Sequence, residues 1–187
     1  REMLGYSALD VSQIAEMLIK DFKLEPGNRV LLRGGNSIGM ALAWLGVVKA
    51  GLIAVATMPL LRAAELDKII DKARPALAIC DVSLLKEMVP AAQDARDKLP
   101  ILGFGDPARL DGMEARAARR SPDFAGCATA ADDVALISFT SGTTGAPKAV
   151  VTTHRDVLAA CNAWPRSVLK ATPDDVVTGS PPLAFTF

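Results

Sequence analysis

The chain has 187 residues, half of them hydrophobic, and its 21 basic residues balance its 21 acidic ones. A formal net charge of zero argues against nucleic-acid or anionic-membrane partners, and the apolar content is too high for a disordered tail. What remains is a soluble globular protein with a large core, either one domain or part of a larger one.

Ser7 with Asp10 forms an S-x-x-D start signal, and Val11, Ile14, Met17 and Leu18 recur on one face. That spacing predicts an amphipathic helix to about Phe22. Pro26-Gly27-Asn28 reads as a turn, Arg29–Arg33 (RVLLR) as a buried strand, and Gly34–Ser37 as the opening of a helix to about Lys49. Leu52–Thr57 is a second strand, Ala63–Ala73 a helix with Leu66, Ile69 and Ile70 on one side, and Ala76–Cys80 a third strand. A helix from Leu84 to about Lys98 and a strand at Ile101–Phe104 follow. The run Met40–Met58 is nearly all apolar, but Lys49 and Gly51 near its middle fit helix, turn and strand better than a membrane span.

Strands that alternate with helices and read as continuous apolar runs indicate an α/β fold, with a largely parallel sheet flanked by helices on both faces. Residues 107–131 differ, being rich in Ala, Arg and Asp, and read as a surface helix plus a linker to a second part of the sheet. Arg116, Arg119 and Arg120 are the densest basic cluster, and a solvated helix end accounts for them. The strand Val134–Phe139 (VALISF) then delivers a loop, and Ala149–Thr152 after it is apolar and β-branched, suggesting another strand. Thr153 and Asp156 form a further capping signal, beside which His154 reads as a surface or capping histidine. Trp44 and Trp164 read as core or helix-packing residues, with Pro165 expected to break or kink its helix.

Cys80, Cys127 and Cys161 lie far apart with no CxxC spacing, which fits buried, reduced thiols in a cytoplasmic protein. A single histidine excludes a multi-His metal site, and no metal-ligand set is assigned. The chain starts at Arg1 without a visible signal peptide and stops at Phe187 inside an apolar run, which reads as a piece of a larger domain.

The loop Thr140–Lys148 (TSGTTGAPK) carries the chemistry. Four hydroxyls (Thr140, Ser141, Thr143, Thr144), two glycines (Gly142, Gly145) and Lys148 stand in nine residues with no acid. Glycines let backbone N–H groups face a ligand, hydroxyls add short donors, and lysine adds a point charge, so the set suits a polyphosphate. It is not a Walker loop. Pro147 stands where the second glycine should be, Ala149 follows the lysine, and a strand rather than a helix comes next. The plain alternative is an ordinary hairpin turn.

TSGTTGAPK resembles the signature loop of the adenylate-forming superfamily, which includes acyl- and aryl-CoA synthetases, luciferases and peptide-synthetase adenylation domains. Pro26–Leu32 (PGNRVLL), Val48–Pro59 (VKAGLIAVATMP) and Pro182–Phe187 (PLAFTF) are similar to further segments of that family, in the same order. Met58–Glu65 and Gly179–Phe187 are similar in wording to benzoate- and 2-aminobenzoate-CoA ligases. The resemblance implies part of the large N-terminal domain of an acyl-CoA synthetase-like fold. Its divisions would be a first α/β half over 1–106, a surface helix and linker over 107–131, and a strand–phosphate loop–strand–helix segment over 132–187. It implies a ligase that uses ATP and Mg²⁺ to convert an aromatic acid to an acyl-adenylate, then passes the acyl group to coenzyme A. Thr140, Ser141, Gly142, Thr143, Thr144, Gly145 and Lys148 would hold nucleotide phosphates.

Two positions depart from the family pattern. Ala149 replaces the usual glycine after the lysine, a mild constraint. Phe185 stands where many members have histidine; with Ala184 it would line the acid pocket, and its ring can stack on an aromatic acid. The resemblance places the magnesium-binding glutamate, the ribose-binding aspartate and the catalytic lysine beyond Phe187, which implies an inactive isolated piece. Two other readings stay open: a non-catalytic nucleotide- or partner-binding module, and adenylation that feeds a carrier-protein thiol.

Overall fold

The structure is a computed structural model in which residues 8–140, 147–176 and 183 are described. Helix α1 (Ala8–Asp21) leads into strand β1 (Arg29–Arg33), and the capping residue expected at Ser7 lies outside the described residues. Helix α2 (Ile38–Lys49) starts where the Ser37 hydroxyl accepts the Met40 N–H at 3.2 Å. Strand β2 (Ile53–Thr57), helix α3 (Ala63–Ala73), strand β3 (Leu77–Asp81), helix α4 (Leu85–Asp94) and strand β4 (Ile101–Phe104) complete the first half. A short helix α5 (Met113–Ala117) precedes strands β5 (Val134–Thr140) and β6 (Lys148–Thr153) and helix α6 (His154–Cys161).

The six strands form one sheet in the order β4-β3-β1-β2-β5-β6. The first five run parallel, and β6 returns antiparallel to β5. Alternate residues of the strands fill two cores. Val30, Leu32, Ala54, Ile79 and Phe104 pack against the layer of α1, α2 and α5. Leu31, Val55, Ala78 and Cys80 pack against α3 and α4. Burial on both faces is why these strands read as unbroken apolar runs.

The Lys-Ala-Gly segment at the end of α2 is a structural junction. Lys49 donates from Nζ to the Ser12 hydroxyl of α1 at 2.7 Å, and its carbonyl accepts the Cys127 N–H at 2.9 Å. Gly51 has φ +72°, and a Cβ there would stand 2.7 Å from Cys127 Sγ, so the connector packs where only glycine fits.

Several expectations need correction. Helix α4 stops at Asp94 rather than near Lys98, because Ala95 leaves the helical region with ψ 140°; Lys98 then takes a left-handed φ of 44°, and the Leu99 N–H turns back to the Ala92 carbonyl. The helix in 107–131 is not a pure surface helix, since Met113 and Ala117 are buried in the core. The arginines near it are not merely solvated. Arg116 and Arg120 both pair with Asp21 of α1, and Arg116 lies over the Phe22 ring at 5.6 Å. Trp44 does pack on the core, but Trp164 is 59% exposed. Of the cysteines only Cys80 is buried; Cys127 is half-buried and Cys161 exposed. After Cys161 the chain winds as a π-helix over Asn162–Leu169 around Pro165, consistent with a proline that lacks the N–H an α-helix needs. Among the described residues no helix is long and apolar enough to cross a membrane.

Candidate functional site

The parallel strands all point their C-terminal ends to one edge, and ligands of open α/β sheets bind outside that edge. Strand β5 ends there at Thr140, and β6 begins at Lys148 directly opposite it. The loop therefore joins two neighbouring antiparallel strands, as its flanking residues predicted, and no helix N-terminus follows it. Ser141, Gly142, Thr143, Thr144 and Gly145 lie outside the described residues. Thr140 and Lys148 are described and exposed. Opposed residues of an antiparallel pair share one face with Cβ atoms about 5 Å apart, which sets a hydroxyl beside an ammonium at the base of the loop.

A second cation reaches the loop from the other side. Lys72, in the last turn of α3, donates from Nζ to the Pro147 carbonyl at 2.9 Å. Beside it lies a cleft of about 230 Å³ lined by Arg29, Lys72, Ala73, Arg74, Ile137, Phe139 and Ala149. Arg29 is committed to the end of α3, donating from Nε and a terminal nitrogen to the Arg74 carbonyl, each at 3.3 Å.

Arg33, at the C-terminal end of β1, organises the neighbouring loop. It is 1% exposed and donates to the carbonyls of Met58 at 2.9 Å, Pro59 at 3.0 Å and Leu61 at 2.7 Å. One fork of donors thus ties the β2–α3 connection, which begins the segment similar to benzoate-CoA ligases, to the strand behind it. Burial pulls the guanidinium below its ordinary value, and Cys80 and Glu87 oppose that pull. Cys80 pairs with Arg33 in the sheet register, and burial pushes its thiol up to about 12 despite the arginine. It is a neutral thiol at pH 7 and no nucleophile.

The segment near the chain end also comes to this edge. The Leu183 N–H donates to the Asn36 side-chain oxygen at 2.7 Å, beside the start of α2. Ala184 and Phe185, expected in the acid pocket, lie outside the described residues. Loops after β1 and β2, the base of the loop after β5, and Leu183 thus gather at the sheet edge.

His154 opens α6 as expected. Thr153 is the N-cap, and the Asp156 carboxylate accepts its N–H at 2.8 Å and its hydroxyl at 2.7 Å, a reciprocal cap. Among the described residues no three His, Cys, Asp or Glu side chains group to hold a metal ion. Sequence reasoning did not single out Arg33 or Lys72. A charge closing an apolar strand is a usable signal for Arg33; Lys72 carries none.

The family model for AMP-binding enzymes matches residues 6–187, and the chain belongs to that family. A benzoate–CoA ligase of Thauera aromatica is 27% identical over 187 residues, covering 96% of this chain and 34% of its own length. A peroxisomal OPC-8:0-CoA ligase of Arabidopsis thaliana is 32% identical over 157 residues, covering 80% of this chain and 28% of its own. The crystal structure of ATP-bound MatB from Rhodopseudomonas palustris superposes with a TM-score of 0.83 at 28% identity, over 95% of this chain and 34% of that one. The chain thus spans about a third of the length of these relatives, and its sheet is part of the acyl-CoA ligase fold.

Proposed function

We propose that this chain supplies the ATP phosphate grip of a ligase that activates an aromatic carboxylic acid and transfers it to coenzyme A. The observation that carries the proposal is the Thr140–Lys148 pair, which closes a strand–loop–strand turn at the ligand-binding edge of the sheet. Backbone donors at Gly142 and Gly145, hydroxyls at Thr140, Ser141, Thr143 and Thr144, and the Lys148 ammonium would hold the β- and γ-phosphates. They would steady the charge that builds on departing pyrophosphate when a carboxylate attacks the α-phosphate. That is electrostatic stabilisation by preorganised donors. Mg²⁺ would enter with the ATP phosphates.

The aromatic assignment rests on Phe185 and Ala184 as pocket wall, and on likeness to the Thauera benzoate–CoA ligase. ATP–pyrophosphate exchange with benzoate and 2-aminobenzoate tests it, run on the 187-residue chain and on a polypeptide of the relatives' full length that contains it. Exchange is expected from the longer polypeptide alone. No exchange with either acid there would sink the aromatic ligase, and robust exchange by the 187-residue chain would show that it needs no further catalytic residues. Lys148→Ala should slow adenylation by about a hundredfold, within the range seen when one charge-stabilising donor is lost, and leave the melting temperature unchanged.

A further inference from the structure

We infer that Lys72 is a positioning residue for Lys148, an inference that rests on the phosphate-loop reading above. The bond from Lys72 Nζ to the Pro147 carbonyl spans 75 residues of sequence at 2.9 Å. A peptide unit is planar, so holding the Pro147 oxygen also orients the N–H and Cα of the next residue, which is Lys148. The ring of Pro147 fixes its own φ as well, leaving the carbonyl as the handle on this shoulder of the loop.

The lever behind the bond is rigid. Leu66, Ile69, Ile70 and Ala73 of α3 are buried against the sheet and α4. Arg74 caps the helix in a left-handed conformation with φ 46°, its N–H on the Ile70 carbonyl and its own carbonyl held by Arg29. Arg29, Lys72 and Arg74 gather there with no ion pair to a carboxylate among the described residues. The negative end of the α3 dipole accommodates such cations. On the opposite side of that shoulder the β5–β6 ladder holds Lys148 against Thr140. Two independent constraints therefore fix the backbone from which the Lys148 side chain departs, and Lys72 supplies the one outside the ladder.

Three variants of the 187-residue chain separate tether from charge and from fold: Lys72→Met, Lys72→Arg and, as a neighbouring control, Asp71→Asn. The first readout is the ¹³C′ resonance of Pro147 with the amide resonance of Lys148, without nucleotide. The second is the dissociation constant for ATP by calorimetry, measured with the same substitutions in the polypeptide of the relatives' full length, at low salt and at 1 M salt, where the Debye length is about 3 Å. Lys72→Met is expected to move both resonances and weaken ATP about tenfold, the scale of one lost positioning bond. That ratio should persist at 1 M salt. Lys72→Arg, which keeps a donor, should stay within about threefold of the unsubstituted chain, and Asp71→Asn should change neither readout. Unmoved resonances in Lys72→Met would remove the tether. Moved resonances with unchanged ATP affinity, or a ratio that collapses at 1 M salt, would remove the positioning role. An unsubstituted longer polypeptide that binds no ATP would overturn the phosphate-loop reading and this role together, while the resonances would still decide whether the bond exists.

Discussion

The molecule divides into two regions that use the same kinds of residue differently. The strands β1 to β4 are closed off: Val30, Leu31, Leu32, Ile79 and Phe104 are out of solvent, and even Arg33 is enclosed, while exposed apolar residues of this half, such as Leu45 and Val89, lie on the outer faces of its helices. Beyond β5, whose Ala135 and Leu136 are buried, β6 and α6 keep apolar side chains in water. Val151 is 54% exposed and Leu158 60%, and Trp164 with Val168 and Leu169 continues the series along the π-helix. Yet this second region carries Thr140 and Lys148. The first region is a scaffold that satisfies itself, and the second takes its position from the scaffold through the β2–β5 pairing and the Lys72 bond.

The sharpest way to break that comparison is through the cysteines, one of which sits deep in the scaffold and one on the outer helix. Burial raises the Cys80 thiol from 9.0 to about 12, so the folded state holds its proton across a window where the unfolded chain releases it. Stability from this group is complete below pH 9 and falls as pH rises toward 12, by at most about 4 kcal/mol over the window. Urea unfolding of the protein and of Cys80→Val should therefore diverge in pH dependence above pH 9, with the variant losing less. Parallel slopes would place Cys80 in water. Cys161 should react with a thiol reagent at once, and Cys80 only as the scaffold unfolds.

Next in size is a pair of truncations. Leu32→Ala removes a side chain that is 0% exposed, at a cost of about 3 kcal/mol, while Val151→Ala should cost under about 0.5 kcal/mol. Equal losses in denaturant unfolding would mean that the outer region is packed after all, and the comparison would fail.

How far the sequence carried this picture depends on separation along the chain. Strands β1 and β4 and helix α3 fall where their apolar runs and turn residues place them, because those signals lie within each element. The strand after the loop was legible from its β-branched residues, and with it the distinction from a Walker loop. What stayed hidden acts at a distance. Arg116 and Arg120 read as solvated because their partner, Asp21, lies on another helix. Trp164 read as packed because hydrophobicity says nothing about whether a covering partner is present. Lys72 was invisible among charged residues of an exposed helix face, since its acceptor is 75 residues away.

The smallest expected effect sharpens the comparison at the junction of α6 with β6. Thr153 and Asp156 cap α6 reciprocally, and the bonds from the Thr153 N–H and hydroxyl hold the Asp156 carboxyl below its ordinary value. A depressed carboxylate contributes stability above its unfolded pKa and loses it as pH falls through the folded one, so the cap should weaken only in acid. Thr153→Ala is expected to cost about 1 kcal/mol. If the outer region opens on its own, that loss appears as faster amide exchange over α6 with unchanged protection in β1 and β3. Protection lost equally in β1 would mean that both regions unfold as one unit, and that the loop's lysine is held by the cooperativity of the whole sheet rather than by Lys72 and the ladder alone.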